Sequence, residues 1–289
     1  MFTNNVYVTV NGFPLHGTDG NGSEWIVNKT DGFLDGAPST LATTQKIWSH
    51  GVFTNQPFYG GRVVSLEGYV RGTTAENAIL SWDALKQALS LDVQDVTIDW
   101  RGYKRLLRGK QSGQPLVEWF DRYTLKFSLE FTSNTPFLYS AGSALSGSTY
   151  LPSASGGMTF PYAFEGDGTV NDWSFPEAST SGSITLNSNG TAESPVFITI
   201  NGYTKNPRIE HRPSGKIFAL DYTIPAGETV TINSETREVL INGKIPAQQI
   251  VTSRMWIIGQ PGENTFMFNA DDGDQNTASI SVEMREAWL

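Results

Sequence analysis

The densest group of charged side chains in the sequence is a basic run in its first half. Five Lys and Arg residues fall within ten positions and are interrupted by two leucines: Arg101, Lys104, Arg105, Arg108 and Lys110. On a β-hairpin, such a run could meet phosphate groups or an acidic partner. A solvated edge strand is the alternative, because charge on an edge discourages unwanted strand pairing.

A second charged group is acidic and lies near the C-terminus. Asp271, Asp272 and Asp274 surround Gly273 and could offer carboxylate oxygens to Ca²⁺, a hard cation. Their spacing departs from the EF-hand loop, in which acidic ligands alternate and a Glu completes the shell. The sequence therefore favours a solvated hairpin tip over a metal site.

Residues for catalysis are sparse. The chain has no cysteine, which excludes disulfides, thiolate zinc sites and thiol nucleophiles. Its three histidines, His16, His50 and His211, are far apart in sequence. No P-loop, Gly-x-Ser-x-Gly or His-Glu-x-x-His motif is present. We therefore predict neither an enzyme nor a bound cofactor, although a hydrolase with paired carboxylates is not excluded by sequence.

Aromatic side chains in the second half suggest a different function, binding of carbohydrate. Tyr203, Tyr222 and Trp256 fall in or near turns of a predicted sandwich. Such rings could stack on sugars, but packing against a hydrophobic core is the more usual fate of Trp and Tyr. A carbohydrate-binding module for host attachment is thus the alternative function.

Length and composition limit the protein class. The 289 residues suffice for about two domains, and no apolar run approaches the roughly 18 residues of a membrane span. The N-terminus lacks the basic-then-apolar form of a signal peptide. Residues 1–135 hold 12 basic and 13 acidic side chains, whereas residues 136–289 hold 8 and 16. Most of the net charge of −9 therefore belongs to the second half.

Period-two hydrophobicity dominates the first half and predicts strands. The longest predicted strand runs from Leu116 to Phe131, with one apolar and one polar face. One segment breaks the period: Ala78, Trp82, Leu85 and Leu89 recur at helical spacing. We predict a helix over 74–90 that lies against a sheet, with Thr73 as its N-cap and Glu76 completing a capping box.

The rest of the chain divides into a connection and an all-β segment. Residues 136–194 are rich in Ser, Gly and Thr, which predicts an anchored connection. Its predicted anchors on a domain or a neighbouring subunit are Phe160, Phe164, Trp173 and Phe175. Residues 195–289 alternate short apolar strands with turn residues, which predicts a β-sandwich. Residues 1–135 are predicted to form a β-barrel with one flanking helix.

An ordered series of short motifs in the second half resembles the siphophage tail-component family. In chain order these are Gly157–Phe164 (GMTFPYAF), Asn189–Ala192 (NGTA), Pro195–Gly202 (PVFITING), Asn206–Ile209 (NPRI), Ala226–Asn233 (AGETVTIN), Arg237–Val239 (REV), Pro261–Asn264 (PGEN) and Arg285–Leu289 (REAWL). Their order and spacing are similar to the C-terminal region of distal tail proteins. The strand Arg62–Arg71 and the helix after it are similar, more loosely, to the family's first domain.

The resemblance implies a structural role in a phage virion. Distal tail proteins form a hexameric ring through a barrel domain and carry a galectin-like C-terminal sandwich. The ring joins the tail tube protein to the tail-associated or tail-tip protein, and often to a receptor-binding protein. DNA passes through its lumen without specific binding. The resemblance thus implies a tail-tip location, assembly in the host bacterial cytoplasm, no membrane insertion and no catalysis.

Overall fold

The computed structural model of the protein describes residues 6–150, 182–271 and 277–289. These residues form a mainly β fold with one α-helix. They divide into two compact units: unit 1 runs to Ser143 and also includes Ala287–Leu289, and unit 2 is Ala144–Glu286. No helix among the described residues is long and apolar enough to cross a membrane.

Unit 1 is built around an extended antiparallel sheet. Its elements, in chain order, are β1 (Val6–Val10), β2 (Phe13–Pro14), β3 (Gly17–Thr18), β4 (Glu24–Asp31), β5 (Ser39–Thr40), β6 (Thr43–Gln45), β7 (Val52–Thr54), β8 (Phe58–Tyr59), β9 (Val63–Arg71), α1 (Ala75–Ala88), β10 (Gln94–Trp100), β11 (Tyr103–Gln111), β12 (Leu116–Trp119), β13 (Thr124–Thr132) and β14 (Leu138–Ser140). The main sheet has the order β2-β1-β10-β11-β13-β9-β4-β3, and β12 pairs with β13. This path has two ends, so barrel closure stays a prediction.

The core of unit 1 forms where the helix crosses the sheet. Residues Ala78, Trp82 and Leu85 are buried on one face of α1, as the helical spacing predicted. The Phe127 ring of β13 lies 5.5 Å from the Trp25 ring and 6.3 Å from the Trp82 ring. Gly68 of β9 leaves room for these rings, because a Cβ there would lie 2.7 Å from Phe127 Cζ.

Two details of unit 1 differ from the sequence prediction. The strand predicted over Leu116–Phe131 is divided into β12 and β13 by a turn in which Asp121 Oδ1 accepts a hydrogen bond from the Tyr123 N–H at 2.8 Å. An Asp side chain that bonds the backbone two residues on favours such a turn. The helix N-cap is Thr74, not Thr73: the Asn77 N–H donates to Thr74 Oγ1 at 3.1 Å.

Unit 2 is a sandwich of two antiparallel sheets. Its elements are β15 (Leu145–Tyr150), β16 (Ser183–Ser188), β17 (Ser194–Asn201), β18 (Thr204–Lys205), β19 (Arg208–Arg212), β20 (Lys216–Leu220), β21 (Thr223–Ile224), β22 (Thr229–Asn233), β23 (Glu238–Ile241), β24 (Ile245–Pro246), a 3₁₀ turn (Gln248–Ile250), β25 (Val251–Arg254), β26 (Ile258–Gly259), β27 (Gly262–Asn269) and β28 (Ser279–Met284). The sheet orders are β15-β28-β17-β22-β23-β24 and β16-β27-β19-β20-β25. Buried apolar side chains of both sheets form one core.

Three strands lie within the range 136–194 that was predicted as a connection. These are β14, β15 and β16, and the last two are edge strands of the two sandwich sheets. Their outward positions carry Ser and Thr, so that the sequence has the composition of a linker while every second residue of β16 is buried. The final strand, β29 (Ala287–Trp288), pairs with β14 in unit 1.

Candidate assembly surface

The basic run occupies the hairpin formed by β10 and β11. Arg101 and Gly102 make its two-residue turn, with φ values of 48° and 96°. Positive φ at both central residues is typical of the type I′ turn that closes tight hairpins. The structure confirms the predicted hairpin, but β11 is not an edge strand, because it pairs with β10 on one side and with β13 and β14 on the other. The edge-strand alternative is therefore wrong.

The register divides the basic side chains between the two faces of the sheet. Lys104 lies opposite Asp99 and Arg108 opposite Asp95, and each forms an ion pair with that residue at 3.5 Å. Such exposed pairs contribute at most about 1 kcal/mol to stability. Lys110 shares this face of β11 and is exposed. The hairpin 94–111 still carries five basic residues against two acidic ones, so it keeps a positive potential.

Arg105 has a different environment from the other four basic residues. Its guanidinium carbon lies 3.5 Å from the centroid of the Trp288 ring, in a cation–π contact. Its Nη1 also donates to the Lys104 carbonyl at 3.0 Å. Because Trp288 belongs to β29, Arg105 fastens the C-terminal strand to the sheet. The structure thus gives Arg105 a role within the chain.

The predicted aromatic anchors Phe160, Phe164, Trp173 and Phe175 lie outside the described residues, as do Asp272 and Asp274 of the acidic group. Asp271 is described and is already engaged: it forms an ion pair with Arg208 and accepts from Asn206 Nδ2 at 2.8 Å. Among the residues that the structure describes, no group of three or more His, Cys, Asp or Glu side chains could hold a metal ion.

The three predicted sugar-contact residues are all half-buried. The Trp256 ring packs on Phe218 at 5.1 Å, and Tyr222 Oη donates to Glu228 Oε2 at 3.0 Å. Tyr222 and Trp256 both pack against the sandwich core. Their packing follows the structural alternative that the sequence favoured, and sugar binding stays a prediction.

The histidines do not converge, but His211 anchors a network that the sequence did not predict. His211 is fully buried, and Asn264 Oδ1 accepts from its Nε2 at 3.0 Å while Ser214 Oγ lies 2.8 Å from its Nδ1. Asn264 is itself bonded to the Gln260 and Gly262 carbonyls at 2.8 and 2.9 Å. Burial lowers the pKa of His211. The network ties β19 to β27, and its spacing along the chain gives no sequence signal.

The sequence analysis also missed the most exposed apolar segment of unit 1. Residues 34–59, here called the arm, separate β4 from β9 and contain the short strands β5 to β8. Trp48 in the arm has 96% of its surface exposed. Adjacent apolar pairs such as Val52 and Phe53 were the available signal, since turns of soluble proteins rarely carry them.

Comparison with known proteins identifies phage tail proteins. Residues 189–288 match the family described as siphovirus-type tail component, C-terminal domain. No curated protein sequence matches the chain. The resemblance predicted from the ordered motifs is therefore confirmed over this region by the family match.

Solved structures extend the similarity in fold to nearly the full length. The structure of Dit from phage SPP1, described as a paradigm of the hub adsorption apparatus in phages that infect Gram-positive bacteria, superimposes with a TM-score of 0.63 at 13% identity, over 98% of this chain and 99% of that chain. Chains of the phage P2 baseplate in its activated conformation, with Ca and with Sr, give TM-scores of 0.53 and 0.51 at 10% and 11% identity, each over 96% of this chain and 97% of the other. The chain thus has a Dit-like, mainly β fold.

Proposed function

We propose that the protein is the structural hub of a siphophage tail tip and assembles into a hexameric ring. The observation that carries this proposal is the fold match to the SPP1 hub protein over 98% of the chain. The tail-component match over residues 189–288 is independent of it. A hub acts by presenting surfaces to several partners, which accords with a chain whose candidate residues do not converge on one pocket.

The two halves of the chain have different roles in this proposal. The first domain, predicted as residues 1–135, forms the ring and continues the DNA channel of the tail tube. The second, residues 195–289, is a galectin-like sandwich that faces away from the channel, and residues 136–194 connect the two. The charge distribution supports this division, because the near-neutral first half can pack against copies of itself without strong repulsion.

The proposed partners follow from the position of a hub in the tail. One side of the ring binds the tail tube protein, and the other binds the tail-associated or tail-tip protein. Receptor-binding proteins attach to the same assembly. DNA passes through the lumen during ejection without sequence-specific contacts, and assembly takes place in the host bacterial cytoplasm.

We also propose that the protein is not an enzyme. The Ser214–His211–Asn264 chain has the residue types of a hydrolytic relay, but every polar atom of Asn264 is bonded to its surroundings and His211 is fully buried. A general base must reach the proton that it removes, and a buried ring cannot reach a substrate. The network therefore serves to stabilise the sandwich.

The exposed basic face of β11 is proposed to contact a neighbouring ring or the passing DNA. Arg108→Glu together with Lys110→Glu should reduce infectivity or tail assembly, because the changes replace two positive charges on an exposed face by two negative ones. Plaque titre and electron microscopy of virions measure this. Arg105 is unsuitable for the test, since its reversal would also break the Trp288 contact.

Lys244→Glu, in the exposed Asn242–Lys244 turn of unit 2, is the matched control for one charge reversal and should leave titre unchanged. Normal virions and normal titre for the Arg108 and Lys110 variant would mean that this face has no partner.

Labelling of virions with gold-conjugated antibody tests the proposed location. Gold at the distal end of the tail is expected on wild-type particles. A chain that is missing from purified virions would contradict the hub function, whereas failure of the isolated protein to assemble would not, since a hub can require its partners for assembly.

A further inference from the structure

The arm is a two-stranded extension that has no support from the rest of unit 1. Its outer ladder pairs β5 with β8 and its inner residues pair β6 with β7. In the described part of the chain these four strands pair only with one another. Every residue from Ser39 to Tyr59 is exposed except Lys46, which is half-buried over the Phe53 ring. An isolated two-stranded hairpin is marginally stable in water, so the arm requires a covering surface.

The composition of the arm indicates a protein partner. Its large apolar side chains are exposed on both faces: Leu34, Leu41, Ile47, Trp48, Val52, Phe53, Phe58 and Tyr59. A contiguous apolar surface of this kind marks an interaction site in a soluble protein. Trp and Tyr are also the residues that most often dominate the energy of protein interfaces.

Buried polar contacts fix the base of the arm. Arg62, at the end of the arm nearest β9, is only 1% exposed. Its Nη1 donates to the Gly32 and Asp35 carbonyls at 2.5 and 2.7 Å, and its Nε donates to the Pro136 carbonyl at 2.9 Å. One guanidinium thus joins both roots of the arm to unit 1. The arm is a built element with a fixed direction at its base.

Strand β12 offers an apolar surface that lacks a cover on the same unit. It pairs with β13 on one side, and within the described residues no strand pairs with its other side. All four residues of β12 are exposed, and so is the Phe120 that follows it. An exposed apolar edge strand is a template for pairing with another chain. The edge is available to a ribbon such as the arm, whose outer backbone groups are also unpaired.

Charge on the two surfaces is complementary. Residues 36–59 contain no Asp or Glu and carry Lys46 as their only Lys or Arg. Glu118 at the centre of β12 has 70% of its side chain exposed, and Asp121 follows in the adjoining turn. A cationic arm and an anionic edge favour the pairing of arm with edge and disfavour that of edge with edge.

The combined area is sufficient for a specific contact. Each fully covered aromatic side chain buries roughly 150–250 Å². The six available rings therefore approach the roughly 1,000 Å² of a stable interface: Trp48, Phe53, Phe58, Tyr59, Trp119 and Phe120.

We propose that the arm of one copy of this chain lies along β12 of a second copy. The inference rests on the proposed ring and names the surfaces that build it. Arm and edge are different surfaces of one chain, so the contact is head-to-tail, and a head-to-tail contact closes into a ring when its rotation permits.

Cross-linking tests this contact, because the absence of cysteine from the chain provides a clean background. We expect a full-length chain with Thr44→Cys in β6 and Glu118→Cys in β12, treated with a flexible bismaleimide, to give a ladder of covalent multimers. Each single-cysteine variant has one reactive group and can give no more than a dimer. Thr44→Cys combined with Thr236→Cys, in an exposed turn of unit 2, is the matched control pair and should give no ladder.

A second measurement covers the energetics of the contact. Trp48→Ser with Phe53→Ser should weaken self-association of the full chain roughly tenfold or more, as expected for the loss of interface aromatics. Leu91→Ser, at another exposed apolar residue of unit 1, should leave self-association unchanged because it lies outside the arm. Analytical ultracentrifugation measures both.

The outcomes separate this inference from the proposed function. A ring present in virions, without a ladder from the arm–edge pair above its control, would overturn the contact and leave the hub function in place. Capture of the arm by another tail protein alone would overturn it as well. A ladder from a chain that is absent from virions would uphold the contact and contradict the hub.

Discussion

Histidine 211 illustrates how a single residue links stability to pH. Its ring is buried and neutral, because burial lowers its pKa below the usual 6.5 of an exposed imidazole. The unfolded chain binds a proton at that residue as pH falls through about 6.5, whereas the folded chain does not. Stability therefore declines as the medium becomes more acidic, by at most about 1.4 kcal/mol per pH unit for one such group.

We expect the unfolding free energy of the wild-type protein to fall between pH 7.5 and 5.5. His211→Gln should be less stable at pH 7.5, because it disturbs the contacts with Ser214 and Asn264, and should show a weaker pH dependence. Urea unfolding at several pH values measures this. His50→Gln, at an exposed position on the arm, should keep the wild-type slope. Equal slopes for the wild type and His211→Gln would contradict the assignment.

At the scale of the element, the start of helix α1 offers two adjacent threonines with different tasks. Thr74 Oγ1 accepts from the Asn77 backbone, whereas Thr73 Oγ1 accepts only from the Asn77 side chain, at 2.8 Å. Thr74→Ala should cost about 1 kcal/mol of stability, as for loss of an N-cap. Thr73→Ala should cost less than about 0.5 kcal/mol, as for most surface changes. Chemical denaturation of both variants decides between them, and a larger loss for Thr73→Ala would be inconsistent with the cap.

The same helix shows what could be predicted from the sequence. Its buried face followed from the spacing of Ala78, Trp82 and Leu85, because burial has a period that sequence reveals. The choice between Thr73 and Thr74 as cap could not be predicted, since either can start a capping motif and backbone geometry decides. The break between β12 and β13 was missed for a related reason: the alternation continues through Asp121, whose turn interrupts the strand.

At the scale of the whole molecule, long-range contacts set the limit of prediction. The basic hairpin was predicted from local pattern, but the stacking of Arg105 on Trp288 joins residues far apart in sequence. The arm was missed because its apolar residues lack the period-two pattern of a half-buried strand. Exposed apolar residues in a projecting segment have meaning only in an assembly, and a chain taken alone gives no periodic signal for a contact with its own copy.

The central claim concerns this assembly, and cryo-electron microscopy of the tail tip in intact virions of the phage that encodes the chain tests it most directly. We predict a ring of six copies at the distal end of the tail tube, with unit 1 around an open channel and the arm of each copy on β12 of its neighbour. A tail tip whose ring is built from another protein, with this chain absent, would contradict the claim.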